Sequence, residues 1–120
     1  IFFLIGGTLI TPPLTGTILP GITRRSVIAL AKSWDVPVEE RKISIDQVIE
    51  AHKSGDLEEV FGSGTAAVIS PVGLINHNGL DIKTGDEKIG PFAKRLFDEI
   101  TGIQYGEVED RFDWIHKVEI

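Results

Sequence analysis

The sequence predicts a mixed α/β domain, and three observations carry that prediction. Short apolar runs, such as residues 1–5 and 66–72, read as strands. Between and after them lie stretches with apolar residues at helical spacing, at Val27, Leu30, Ala31 and Trp34 and again at Phe92, Leu96, Phe97 and Ile100. Hydrophobic residues make up 42% of the 120 residues, enough to bury a core in one domain or in part of a larger one.

Taken in order, residues 1–5 form a buried strand ended by Gly6-Gly7. That pair suits a tight hairpin, with Thr8-Leu9-Ile10 as the returning strand. Thr11-Pro12-Pro13 breaks regular structure, and residues 14–18 form a loop. Pro20 and Gly21 make a turn, and a helix covers residues 23–33, with Arg24, Arg25 and Lys32 on its polar face. Residues 37–43 read as a strand with mixed faces. Ser44 is a helix N-cap with Gln47 completing a capping box; Ile45, Val48 and Ile49 give that helix an apolar side, and Ser54-Gly55 ends it.

Residues 57–61 read as a short turn or strand leading into Gly62-Ser63-Gly64. Residues 66–72 are small, then β-branched, and uncharged, and read as the best core strand. Residues 73–75 and 80–82 suggest a hairpin around Asn78-Gly79. Pro91 opens a last helix whose buried stripe is Phe92, Leu96, Phe97 and Ile100. The tail is polar from Gly102 to Trp114, and residues 115–118 read as a final short strand. No internal repeat or linker interrupts the chain.

The formal net charge of −6 argues against nucleic acid or an anionic membrane as the main partner. No apolar run approaches the roughly 20 residues of a membrane helix. There is no cysteine, so nothing points to a disulfide scaffold, a thiolate metal site or a redox switch. There is no methionine either, and the bare apolar strand at residue 1 suggests a segment of a longer protein.

Two glycine-threonine turns carry the chemical signal. Gly21-Ile22-Thr23 stands at a helix start, where the first amides lack partners and point outward. Ser63-Gly64-Thr65 offers two hydroxyls, with a glycine that lets backbone approach a ligand. Together they suit an anion such as a phosphate, which needs several converging donors. On spacing alone, an ordinary turn plus helix cap is the better reading of each. Neither matches the nucleotide-binding glycine patterns.

His52, His77 and His116 have no metal spacing and read as surface residues, so no metal site is expected. Glu39-Glu40 and Glu58-Glu59 are adjacent acids whose side chains would face opposite ways on a strand. A salt-bridged or solvated face fits them better than an acid-base pair. No serine has a nucleophile-elbow setting.

The segments read together are more specific. Thr11-Pro12-Pro13-Leu14, then Gly16-Thr17-Ile18-Leu19-Pro20-Gly21-Ile22-Thr23-Arg24-Arg25, then Glu59-Val60-Phe61-Gly62-Ser63-Gly64-Thr65-Ala66-Ala67-Val68-Ile69-Ser70-Pro71-Val72 resemble the branched-chain amino-acid aminotransferases. The tail Thr101-Gly102-Ile103-Gln104-Tyr105-Gly106, followed by Trp114, is similar to that family's C-terminal end. The resemblance covers nearly the whole chain in order. It favours this family over D-amino-acid aminotransferases and aminodeoxychorismate lyases, which share the fold.

The resemblance implies a fold-type IV, pyridoxal 5'-phosphate (PLP) dependent enzyme. It implies that Leu19 packs on the cofactor's pyridine ring. Gly21, Ile22 and Thr23 would bind its phosphate, joined by Thr65. Ala66 and Ala67 would receive the substrate's α-carboxylate through their amides. The Schiff-base lysine, the acidic pyridine partner and a phosphate-binding arginine are expected upstream, so no residue of this chain is expected to be catalytic. Residues 1–120 would be the incomplete C-terminal, cofactor-binding large domain, without the N-terminal small domain and the start of the large one. The parent would move the amino group of leucine, isoleucine or valine to 2-oxoglutarate, yielding the 2-oxo acids and glutamate, as a cytoplasmic homodimer. The alternatives are another fold-type IV aminotransferase or lyase, or a non-catalytic domain that kept the phosphate turns. Ala67 and Ser70 stand where some members carry a cysteine pair, so that redox control is not expected.

Overall fold

A computed structural model of the chain describes residues 1–84 and 88–120. β1 (Phe2–Ile5) and β2 (Thr8–Thr11) form the expected hairpin, pairing Phe3 with Ile10. Gly6 and Gly7 both take positive φ, 55° and 78°, as a two-residue hairpin turn matched to strand twist requires. α1 (Ile22–Ser33) leads to β3 (Val38–Glu40), which lies parallel to β2 with Leu9 opposite Val38. α2 (Ile45–Ser54) precedes β4 (Leu57–Gly64), which pairs antiparallel with β1, Phe3 opposite Val60. β5 (Val68–Pro71) folds back along β4. The resulting five-stranded sheet has the order β3-β2-β1-β4-β5. β6 (Leu74–His77) and β7 (Leu80–Lys83) form a separate ribbon, and α3 (Pro91–Gln104) follows.

Strand alternation divides the core between the two faces of the sheet. Phe2, Leu4, Leu9 and Phe61 face α1 and α3, meeting Val27, Leu30, Ala31, Ala93, Leu96 and Ile100. Phe3, Ile10 and Val60 face the other way, toward Val48 of α2 and Ile82 of β7. Because β1 is covered on both faces, residues 1–5 carry no polar alternation. Phe2 and Phe61 are fully buried and stack at 5.2 Å between centroids. Burial of each such side chain contributes roughly 1.5–3 kcal/mol.

The helices follow local rules. α1 buries Val27, Leu30 and Ala31 on one stripe. Ser44 accepts the Gln47 amide at 3.2 Å while the Gln47 side chain accepts the Ser44 amide at 3.0 Å, the capping box expected from sequence.

Several expectations are corrected. The long core strand is β4, eight residues beside β1, and not residues 66–72. Residues 65–67 are used in a turn, which leaves β5 a short edge strand with Ile69 as its buried residue. The strand expected over 37–43 is confined to Val38–Glu40. The buried stripe of α3 is Ala93, Leu96, Ile100 and Ile103, while Phe97 is 37% exposed. α3 also runs through Gly102 to Gln104. Residues 115–118 form no strand; Asp110 instead holds the Ile115 amide at 2.7 Å, and Trp114 stacks on Phe112 at 4.4 Å. No helix among the described residues is long and apolar enough to cross a membrane.

Candidate functional site

Topology brings the two glycine-threonine turns to one end of the sheet. β2 and β4 flank β1 and both run antiparallel to it, so they finish at the same end. Residues 65–67 leave from the end of β4. Residues 12–20 leave from the end of β2 and lead into α1. β3 starts beside the start of β2, where Leu9 donates to the Pro37 carbonyl at 2.9 Å. α1 must therefore run back along the sheet, and its first turn lies at the end where β2 and β4 finish. Arg24 marks that placement: its Nη2 donates to the Pro12 carbonyl at 3.0 Å and to Glu40 at the end of β3 at 2.8 Å.

The start of α1 differs from the other two helix starts among the described residues. α2 is capped by Ser44, and α3 by Glu59, whose carboxylate oxygens accept the amides of Phe92 at 2.9 Å and Ala93 at 3.0 Å. α1 has Gly21 as its N-cap, no side-chain cap and no acidic residue in its first turn. Its first amides are thus left open beside the positive end of a 12-residue helix dipole. Pro20 sits at the centre of a tight turn closed by the Gly21 amide on the Leu19 carbonyl, 2.8 Å. Its fixed φ suits that three-residue turn.

The sequence-predicted residues fall as follows. Leu19 is 87% exposed and Ile22 77% exposed; Gly21 and Thr23 are half-buried. Thr65, Ala66 and Ala67 are exposed in the turn between paired Gly64 and Val68. Val68 takes φ 60°, left-handed backbone that a β-branched residue rarely adopts. This strain closes the turn directly after Ala67. No hydrogen bond joins the two turns among the described residues. A cleft of about 320 Å³ between α1 and α3 takes Ile22, Arg25, Ile103 and Trp114 on its wall; Thr23 and residues 65–67 do not line it.

Two residues have roles that sequence reasoning missed. The sequence pattern puts Arg24 on the polar face of α1, yet it is buried and paired. Sequence alone suggests a salt-bridged or solvated Glu59, yet it is buried as the cap of α3. The Gly90-Pro91 start offers no side chain to cap that helix, so it demands an acceptor from elsewhere in the chain. Glu58 faces the opposite way, as expected, and accepts the Gly7 amide at 2.7 Å.

The arrangement can hold an anion: open helix amides and a threonine hydroxyl stand at one end of the sheet, on exposed turns. Lys32 lies in the last turn of α1, about 15 Å from its start by helix rise. No group of three metal-ligating side chains occurs among the described residues.

The family described as amino-transferase class IV matches residues 1–75, which include both turns. The chain belongs to the class IV amino-transferases. This class IV chain is 56% identical over 118 residues to branched-chain-amino-acid aminotransferase 2 of Bacillus subtilis, covering 98% of this chain and 32% of that protein. Among solved structures, the branched-chain amino acid aminotransferase of Escherichia coli matches with a TM-score of 0.78 at 38% identity, over 98% of this chain and 36% of that one. The branched-chain amino acid aminotransferase of Thermobaculum terrenum, solved in its PLP form, matches at 31% identity with a TM-score of 0.65, over 89% and 32% of the two chains. The mixed α/β arrangement is thus the fold-type IV one that the resemblance implied. This class IV chain spans about a third of the length of the curated relatives it matches.

Proposed function

We propose that this chain is the cofactor-phosphate and substrate-carboxylate portion of a PLP-dependent branched-chain amino-acid aminotransferase. The observation that carries the reading is the uncapped start of α1, at the same sheet end as the Thr65 turn. The donor set fits the cofactor's phosphate: amides at Ile22 and Thr23 with the helix dipole behind them, and the Thr65 hydroxyl. Gly21 keeps that approach free of a side chain, and Leu19 offers an exposed apolar surface for the pyridine ring. Ala66 and Ala67, on the same turn as Thr65, are the amides assigned to the substrate's α-carboxylate. Bound there, PLP supplies the electron sink for amino transfer. The residues of this chain bind and orient; the reactive lysine, the acidic pyridine partner and the phosphate-binding arginine belong to the remaining two thirds of such a protein.

The substrates proposed are leucine, isoleucine and valine with 2-oxoglutarate, the enzyme being a cytoplasmic homodimer. What supports this specificity is the identity to relatives named for it. The test is amino transfer by the full-length protein from each of the three amino acids, set against D-alanine and aminodeoxychorismate. Turnover of the branched-chain substrates alone is the expected result. Preference for D-alanine or aminodeoxychorismate would reassign the substrate. Absence of any PLP binding would leave a domain with other uses for its turns, and would end the reading.

A further inference from the structure

We infer that Arg24 and Glu40 are positioning residues that fix the anion-holding start of α1 against the sheet; this rests on the reading of that start as the cofactor-phosphate site. Arg24 is the buried Lys or Arg side chain among the described residues, 9% exposed. Its Nη2 bridges the Pro12 carbonyl just after β2 and the Glu40 carboxylate at the end of β3. Between Pro12 and Gly21 the loop is exposed from Leu14 onward. Its own hydrogen bonds, Thr15 with Thr17 and Gly21 with Leu19, do not reach the sheet. The guanidinium is therefore the polar tie between the first turn of α1 and the strands.

The rest of α1 does not depend on that tie. Val27, Leu30 and Ala31 anchor the helix body in the core. Cutting the tie leaves α1 folded and lets its first turn shift. The amides of Ile22 and Thr23 then lose register with Thr65, which the β4–β5 turn holds independently. Losing one amide hydrogen bond to the charged phosphate costs on the order of tenfold or more in affinity. A charge-assisted bond to Glu40 holds the guanidinium toward β3, so Arg24 acts through the backbone it positions and is not itself an anion ligand.

The test compares, in the full-length apoprotein, affinity for PLP and for pyridoxal, which lacks the phosphate. Wild-type protein should prefer PLP. Arg24→Gln and Glu40→Gln should each lower that preference roughly tenfold. Pyridoxal affinity should fall by less, because pyridoxal makes no phosphate contact and loses only what the accompanying shift of Leu19 costs its ring. The double variant should be no worse than Arg24→Gln, since both changes cut one tie. Arg24→Lys, which keeps a cation able to reach Glu40, should fall between wild type and Arg24→Gln; with Glu40→Gln it keeps the test available if Arg24→Gln does not fold. An unchanged preference in the variants, or equal loss for both ligands, would overturn the inference. So would tighter PLP binding by Glu40→Gln, which would mean Glu40 holds back a direct ligand. A wild-type protein without any preference would instead overturn the phosphate reading, and the inference with it.

Discussion

The Glu59 carboxylate accepts the amide hydrogen of Ala93 at 3.0 Å, across 34 residues of sequence. Its second oxygen takes the amide of Phe92 at 2.9 Å. One side chain of the central sheet thus completes the start of α3, and the negative charge meets the positive end of the helix. Gly90 permits this approach, since a Cβ there would run into the Glu59 carboxylate. Glu59→Ala is expected to destabilise the protein by about 2–3 kcal/mol, leaving the buried Ala93 amide and the part-buried Phe92 amide without acceptors. Glu59→Gln keeps one acceptor but sets its NH2 against the other amide and loses the charge, and should cost about 1–2 kcal/mol. Urea denaturation gives the sums, and hydrogen exchange should show faster exchange at Phe92 and Ala93. Gly90→Ala should match Glu59→Ala if the cap is displaced.

This pairing also shows where sequence reasoning stops. The Ser44–Gln47 box was legible because both partners lie within one helical turn. The Glu59 cap was not, because nothing local links residue 59 to residue 92. The same acids disguised β4: Glu58 and Glu59 interrupt its apolar pattern, and only the Gly7 and α3 amides explain them. Side-chain bulk points the α3 stripe toward Phe97, whereas close packing on the sheet favours the small Ala93. The two turns of the candidate site were each legible as local features. That they share a sheet end was not, since it depends on β3 joining parallel to β2 and β4 joining antiparallel to β1.

The tail has an acid-side dependence of its own. Backbone amides, chiefly those of Trp114 and Ile115, hold the Asp110 carboxyl below its ordinary value of 3.8. A carboxyl whose folded value is depressed binds its proton less readily when folded. Its contribution is therefore full above 3.8 and is lost as pH falls below it. Trp114 fluorescence, which reports stacking on Phe112, should change on acidification in that range. Asp110→Asn should already show the acid-type signal at neutral pH and remove the transition.

Thr65 separates binding from folding. It is exposed in the β4–β5 turn, and the described structure gives its hydroxyl no hydrogen bond. Thr65→Val keeps the β-branched shape and deletes the hydroxyl. Stability should change by less than about 0.5 kcal/mol. PLP affinity should fall roughly tenfold, the worth of one bond to a charged group. Absorbance titration of the full-length apoprotein measures the second quantity, and thermal unfolding the first.

Gly21 carries the sharpest prediction, because stability and binding should move in opposite directions. It is the N-cap of α1 at φ −64° and ψ 142°, backbone that any residue adopts. A Cβ there meets Arg24 atoms at 3.9 Å, ordinary contact. An aspartate therefore fits, and its carboxylate would turn onto the open amides as capping side chains do. Gly21→Asp should stabilise α1 by a few tenths to about 1 kcal/mol, adding a cap and an anion at the positive helix end. The same carboxylate occupies the donors assigned to the phosphate and repels it. PLP affinity should fall by on the order of a hundredfold, the combined effect of lost donors and like charge. Pyridoxal affinity should change far less. A variant that is more stable and still binds PLP as wild type does would show that the amides of Ile22 and Thr23 serve the helix alone.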